Sequence, residues 1–297
     1  MLEKNKTSFF NKLHSGEIED YLRRNDIIFI PFGTVAAHGG FPMDVEETFA
    51  RGLALKMAEK VDGLVFGNLP FFYAGAAMTG RGTVQISIRE GIKYLKEISY
   101  SLLNQGFRRQ IYVSTCETGF MTAGGVVIDF FDEIKCPITY MNLESMINVA
   151  MTNNPGLALV NNRLTLDTMM YGAYKILGKL GEVVVDPDAP LRHDNCPEVG
   201  LNTEYFSKVT GQRRPAGAVG YYYKEPDDHY GPYGAVRTFE DLEVFASKGE
   251  QLITDLVEAL DMERYVASMK TLDVWTNTYI KTKYAGNLPK NKFAEWR

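Results

Sequence analysis

The chain has 297 residues, 45% hydrophobic and 12% aromatic, which is enough to bury a large core; α/β chains of this length commonly stand as one unit. A net charge of −5 and a pI near 5.5 argue against nucleic-acid or anionic-membrane partners, which need a clustered positive surface that releases counterions, so the expected partner is a small molecule. No apolar run reaches the roughly 18 residues of a membrane helix, and the opening MLEKNKTSFFNKLHSGEIEDYL lacks the apolar centre of a signal peptide, so the chain reads as cytoplasmic.

The first half alternates strand and helix. DIIFIPFG (26–33) reads as a buried strand, followed by a helix through EETFARGLALKMAEKVDG with Phe49, Leu53 and Met57 on one face. GLVFGNLP (63–70) is the second strand. A glycine-rich loop through YAGAAMTGRGT leads to a helix over 88–105 that Gly106 ends. QIYVST (110–115) is a third strand, GGVVIDFFDEI a helix, CPITYMNL (136–143) a fourth strand, and LTLDTMMYGAYKILGKLG (164–181) a helix stopped by glycine. Strict alternation implies an α/β fold, a mostly parallel sheet covered by helices on both faces. Ligands then bind beyond the carboxyl ends of the strands, where the loops carrying His38, the glycine loop and Glu117 all open.

From 184 to 237 the pattern loosens into long loops rich in Pro, Gly, Asp and Tyr, the usual form of lids and binding loops. FEDLEVFASKGEQLITDLVEALDMERYVASMK supplies one or two amphipathic helices. The rest, from about 280 to 297, is a basic, aromatic tail, either disordered or docked on a neighbouring subunit through Tyr284, Phe293 and Trp296. One domain over 1–297 is expected, with no internal repeat.

Several residues invite chemistry, each with a plain alternative. His38 is either a metal ligand or a hydrogen-bonded loop residue. Asp44, Glu46 and Glu47 are donors or an acidic first helical turn, and Glu117 is a ligand or a cap for a helix beginning near Thr118. The inserted loop, about 221–238, holds His229 beside Asp228 as an acid/base candidate among five tyrosines, and LRHDNCPE offers His193 and Asp194. The three cysteines, Cys116, Cys136 and Cys196, form no Cys-x-x-Cys pair. No flanking His–Asn pattern supports Cys116 as a nucleophile, so it reads as a packed thiol. GAAMTGRGT is not a phosphate loop, although Arg81 could meet an anionic group.

Three ordered stretches resemble the creatininases, metal-dependent amidohydrolases with a layered α/β fold that commonly assemble as hexamers. IPFGTVAAHGGFPMDVEETFA looks like the family's strand-end motif, with His38 retained. LPFFYAGAAMTGRGTVQIS matches at Pro70, Gly75, Gly82 and Thr83, and SLLNQGFRRQIYVSTCETGF is similar to the family's third-strand segment. AGAVG with FASKGEQL is a weaker fourth match, and the resemblance covers roughly 30 to 260.

The family holds two divalent ions through a Glu and a His two apart, a bridging Asp, and a further pair after the third strand. Here the Glu position is Ala36. The bridging position is Glu46 if one residue is deleted, or Glu47 without the gap; the third-strand pair becomes Glu117 and Gly119. The family's H-A-G-E-x-E-T-S segment corresponds to NRLTLDTM, with Asn162, Thr165 and Asp167 replacing its acid/base groups; Asp167 reads rather as a helix-start carboxylate. One imidazole and two carboxylates leave open positions on a single ion, and a carboxylate at Glu117 shifts preference toward Mn²⁺ or Mg²⁺ over Zn²⁺ without removing zinc.

The resemblance therefore implies a hydrolase using one divalent metal (Zn, Mn or Mg) held by His38, Glu46 or Glu47, and Glu117. Metal-activated water would attack a small polar cyclic amide or carbonyl compound, oxidised cyclitols of the dehydro-inosose type included. Arg81, Thr83, Tyr222 and Tyr223 are the expected substrate contacts. A homo-oligomer follows by the same resemblance. The alternatives are a metal-free relative that binds a metabolite or serves structurally, and a metal-independent lyase or isomerase using His229 and Asp228.

Overall fold

A computed structural model of the chain describes residues 7–36, 38, 40–73, 82–116, 118–157, 159, 163–188, 209 and 236–283. In chain order the main elements are α1 (Ser15–Leu22), β1 (Ile27–Pro31), α2 (Val45–Lys60), β2 (Leu64–Val65), α3 (Ile88–Gln105), β3 (Arg109–Ser114) and α4 (Gly119–Ile134). β4 (Thr139–Asn142), α5 (Leu143–Asn153), α6 (Arg163–Ile176), α7 (Phe239–Ala259) and α8 (Met262–Trp275) follow.

The four strands are parallel in the order β2-β1-β3-β4, in register through pairs such as Ile28 with Leu64 and Phe29 with Ile111. Side chains on a strand alternate between faces, and β1 shows the result. Ile27 and Phe29 join a core with Phe49 and Leu53 of α2, Ile147 of α5, Met169 and Tyr174 of α6 and Ile253 of α7. Ile28 and Ile30 join a second core with Tyr21 of α1, Leu95 of α3 and Phe130 of α4. A sheet buried on both faces is why its strands read as unbroken apolar runs.

Local signals fix several boundaries. α3 spans the residues its pattern predicts: the Ser87 hydroxyl accepts from the Glu90 amide at 3.3 Å, and Gly106, at φ 114°, closes the helix in the left-handed region. The run 63–70 contributes only Leu64 and Val65 as strand. Phe66 still donates to the Phe29 carbonyl at 2.8 Å, but the chain then leaves the sheet and crosses toward the end of β1, where the Gly33 amide donates to the Leu69 carbonyl at 3.3 Å.

Three features were not foreseen. α1 precedes the first strand. α5 follows β4 without a loop, because Asn142, the last strand residue, also caps the helix by accepting from the Ser145 amide at 2.8 Å. After α8 the chain continues through a π-helical turn at Thr276–Ile280 to Lys283, with Thr276 fully buried, so the residues around 280 belong to a helix that the core anchors.

α6 and α7 cross at backbone distance. A Cβ added to Gly249 would stand 1.8 Å from the Thr168 carbonyl oxygen, and one added to Gly172 would stand 2.2 Å from the Gly249 carbonyl carbon. No helix among the described residues is long and apolar enough to cross a membrane.

Candidate active site

The strand order creates the site. From β1 the chain moves to one side to make β2 and then to the other to make β3, so β1 and β3 flank a topological switch point, and the loops leaving their carboxyl ends part around a crevice. The β1–α2 loop and the β3–α4 turn border it.

The β1–α2 loop is tied in at several points. The Phe32 amide donates to the Val113 carbonyl at 3.0 Å, the Val84 amide donates to the Val35 carbonyl at 3.0 Å, and the Ala36 amide donates to the Met43 carbonyl at 3.0 Å. The last contact closes a small lobe with His38 inside it. His38 is 4% exposed, its ring centroid 6.2 Å from that of Phe41, which in turn lies 4.7 Å from the Tyr171 ring of α6. The Val35–Val84 pair also brings Thr83, an expected substrate contact, to the margin of this lobe.

Gly33 lets the start of α2 approach the end of β1, since a Cβ there would meet the Glu47 amide nitrogen at 2.6 Å. Consecutive carboxylates then take different jobs. Asp44 precedes the helix but does not cap it; its oxygens accept from the Tyr174 hydroxyl at 2.8 Å, the Thr48 hydroxyl at 3.1 Å and the Lys179 ammonium at 3.2 Å. Burial opposes its charge, but these donors win and hold it below the usual carboxylate range.

Glu46 turns toward the strand ends. Its carboxylate accepts from the Thr34 hydroxyl, its carbonyl accepts from the Thr115 hydroxyl at 3.2 Å, and the Cys116 thiol lies beside it. Glu47 is 2% exposed, and its Oε1 has no hydrogen-bond partner among the described residues. Burial raises its pKa, Arg51 works against that, and Asp44 adds to it.

The β3–α4 turn is equally constrained. The Cys116 amide donates to Ser114 Oγ at 3.3 Å, Cys116 Sγ lies 3.1 Å from Thr118 Oγ1, and that hydroxyl donates to the Tyr73 carbonyl at 2.8 Å. Burial and then Glu46 push the thiol well above its ordinary pKa, which makes it a poor nucleophile and agrees with a packed thiol. Burial, with a smaller contribution from Cys116, raises the pKa of Tyr140 of β4, whose hydroxyl has no hydrogen-bond partner among the described residues.

Of two positions where the resemblance would put ligands, one is sterically closed: a Cβ on Gly119 would stand 2.5 Å from Ser114 Oγ and 3.3 Å from the Phe32 ring. The other, Ala36, is buried and carries no donor atom. Asp167 is a buried residue within α6, 1% exposed, rather than a solvated helix-start carboxylate. Among the described residues no three His, Cys, Asp or Glu side chains stand close enough to hold a metal ion.

Of the expected site residues, His38 lies on the β1–α2 loop and Glu46 in the first turn of α2, Thr83 precedes the Val84 that pairs with Val35 of that loop, and the Thr34 and Cys116 contacts are made by Glu46. Glu117, Arg81, Asn162, His193, Asp194, Tyr222, Tyr223, Asp228 and His229 lie outside the described residues. Thr34, Thr118 and Tyr140 escaped notice in the sequence because hydroxyls at strand ends carry no spacing signal of their own.

Comparisons with known proteins agree with the fold. The family model for creatininase (creatinine amidohydrolase) matches residues 11–116. A 3-dehydro-scyllo-inosose hydrolase from Thermotoga maritima is 29% identical over 115 residues, 36% of this chain and 35% of the relative; the match thus spans about a third of the relative's length. A Bacteroides fragilis protein provisionally described as a creatinine amidohydrolase superposes with a TM-score of 0.58 at 16% identity, covering 92% of this chain and 97% of the other. A mutant creatininase of Zn–Zn type superposes at 0.55 and 16% identity, covering 89% and 99%. The chain therefore has the α/β fold of the creatininases and, over residues 11–116, a creatininase-like sequence.

Proposed function

We propose that the protein is a creatininase-like hydrolase acting on a small polar cyclic amide or carbonyl compound, with one divalent ion held by His38, Glu46 and Glu117. The observation that carries this reading is the support around Glu46 at the switch point. Ligating carboxylates are themselves hydrogen-bonded, and Glu46 has the Thr34 hydroxyl and the Cys116 thiol in that role. Its backbone is tied to Thr115, two positions before Glu117. His38 and Glu46 fit two places in a ligand set and do not complete one without Glu117.

A bound divalent ion would supply a water of lowered pKa and polarise a carbonyl. The chain's own residues would do the rest. Thr34 orients the carboxylate, and Phe41 with Tyr171 shields the His38 lobe from water. His229 with Asp228 is the proposed proton-transfer pair, and Arg81, Thr83, Tyr222 and Tyr223 the proposed substrate contacts. Ala36, which has no donor atom, and Gly119, which has no room for a side chain, support one ion rather than two. The Thermotoga relative's name makes oxidised cyclitols the first substrates to try. A single domain over 1–297, a cytoplasmic location and a homo-oligomer, with a hexamer the first state to test, complete the proposal.

A second reading, a metal-free metabolite-binding relative, is favoured by the same two positions. Hydrolysis assays on a dehydro-inosose and on cyclic amides, with and without chelator, separate the two. The hydrolase reading expects turnover that EDTA abolishes, added Mn²⁺ or Zn²⁺ restores and His38→Ala lacks; binding of the same compounds without turnover under any metal supports the binder.

A further inference from the structure

We infer that the ring of Phe71 is the platform on which the substrate's ring packs, an inference that rests on the site proposed above. Phe71 has a φ of 69°, in the left-handed region that bulky residues avoid. Such strain persists only where neighbours over-determine it. Here they do on both sides.

The preceding Leu69 carbonyl accepts from the Gly33 amide at 3.3 Å, which pins the segment to the β1–α2 loop. The following Phe72 is 2% exposed, with its ring 5.1 Å from that of Phe32, and the Tyr73 carbonyl accepts from Thr118 at 2.8 Å. Phe71 is thus suspended between the two segments that border the crevice. Yet it is 43% exposed, so much of the residue stays open to a ligand.

A fold that needed only a turn here would favour glycine, which adopts this conformation freely. An exposed aromatic held in strain at the margin of a site is explained if the ring itself is used. Ligand sites are lined mainly by apolar and aromatic groups, with a few polar groups fixing orientation. The matching ligand is a compact ring with a C–H face for the phenyl ring and polar groups at its edge, as in a keto-cyclitol or a lactam. The carbonyl would then point toward the Glu46 side of the crevice.

Phe71→Gly separates a binding role from a structural one, because it relieves the strain while removing the ring. The probe is a dehydro-inosose, titrated calorimetrically into the metal-loaded full chain and assayed for hydrolysis, alongside Phe71→Tyr. We expect Phe71→Gly to melt at or above the wild-type temperature while its Kd and KM rise roughly tenfold to a hundredfold, the loss of one buried aromatic contact. Phe71→Tyr should bind within about threefold of wild type, since it keeps the ring. Unchanged Kd and KM in Phe71→Gly overturn the inference and leave the hydrolase reading intact. Binding without turnover that weakens in Phe71→Gly supports the inference while the hydrolase reading fails. No binding by the wild type overturns both.

Discussion

The α6–α7 crossing and the β1–α2 junction both depend on glycines that let backbones touch, yet they are built for different ends. At the crossing, Gly172 and Gly249 bring two helices together over an apolar core. At the junction, Gly33 presses an acidic helical turn against a strand end and leaves a buried carboxylate oxygen on Glu47 without a hydrogen-bond partner among the described residues. At the crossing the contacts are backbone on backbone and serve packing; at the junction they also set the Glu46 carboxylate beside Thr34 and Cys116, the arrangement proposed as functional. Substitutions in the two regions should therefore separate stability from function.

The largest loss of stability is expected at the crossing. In Gly249→Ala the new methyl meets a carbonyl oxygen that no side-chain rotation can move, so the helices must separate. A cost of at least about 3 kcal/mol is expected, read as a lower denaturant midpoint, with activity per folded molecule unchanged.

Gly33→Ala should cost less, about 2 kcal/mol, because the start of α2 can shift. That shift moves Glu46, so activity and metal content should fall by more than the folded fraction does. If they track the folded fraction alone, the junction is only packing.

Glu47→Met should act in the opposite direction. Removing a buried carboxylate whose Oε1 lacks a hydrogen-bond partner among the described residues, while filling its volume, should raise stability by about 1 kcal/mol. Destabilisation would mean that Glu47 anchors the helix.

The smallest effect belongs to Asp44→Asn. The folded-state pKa of Asp44 is held below its ordinary 3.8, so its contribution is present above that value and is lost as pH falls through the lower folded one. The variant should melt below wild type near pH 6, and the gap should close as the pH falls below about 3.8. Its side chain is about one-third exposed, so the gap should stay under about 1 kcal/mol. A gap that widens on acidification would reverse the sign assigned here.

The same contrast explains what the sequence conveyed. Strands buried on both faces print continuous apolar runs, and α3 carries a Ser cap and a Gly stop, so the β–α alternation and the edge holding His38 were legible. α5 was not, because Asn142 ends a strand and starts a helix without the turn residues that usually separate elements. In the first turn of α2, Glu46 and Glu47 are equivalent in the chain and differ only once Thr34 and Cys116 meet one and not the other. Gly119 reads as a missing ligand, yet its contact with Ser114 shows a position with no room for one. The backbone of Phe71 leaves no trace in its residue type, since a phenylalanine there gives no turn signal.

Metal content tests the central claim most directly. Elemental analysis of the untagged full chain beside His38→Ala, Glu46→Gln and Glu47→Gln should find about one divalent ion per wild-type chain, as a three-ligand site with open positions implies. It should be retained in Glu47→Gln and lost in the other two variants. A metal-free wild-type protein, or one whose metal survives both His38→Ala and Glu46→Gln, would contradict the assignment of this edge as a metal-dependent hydrolytic site.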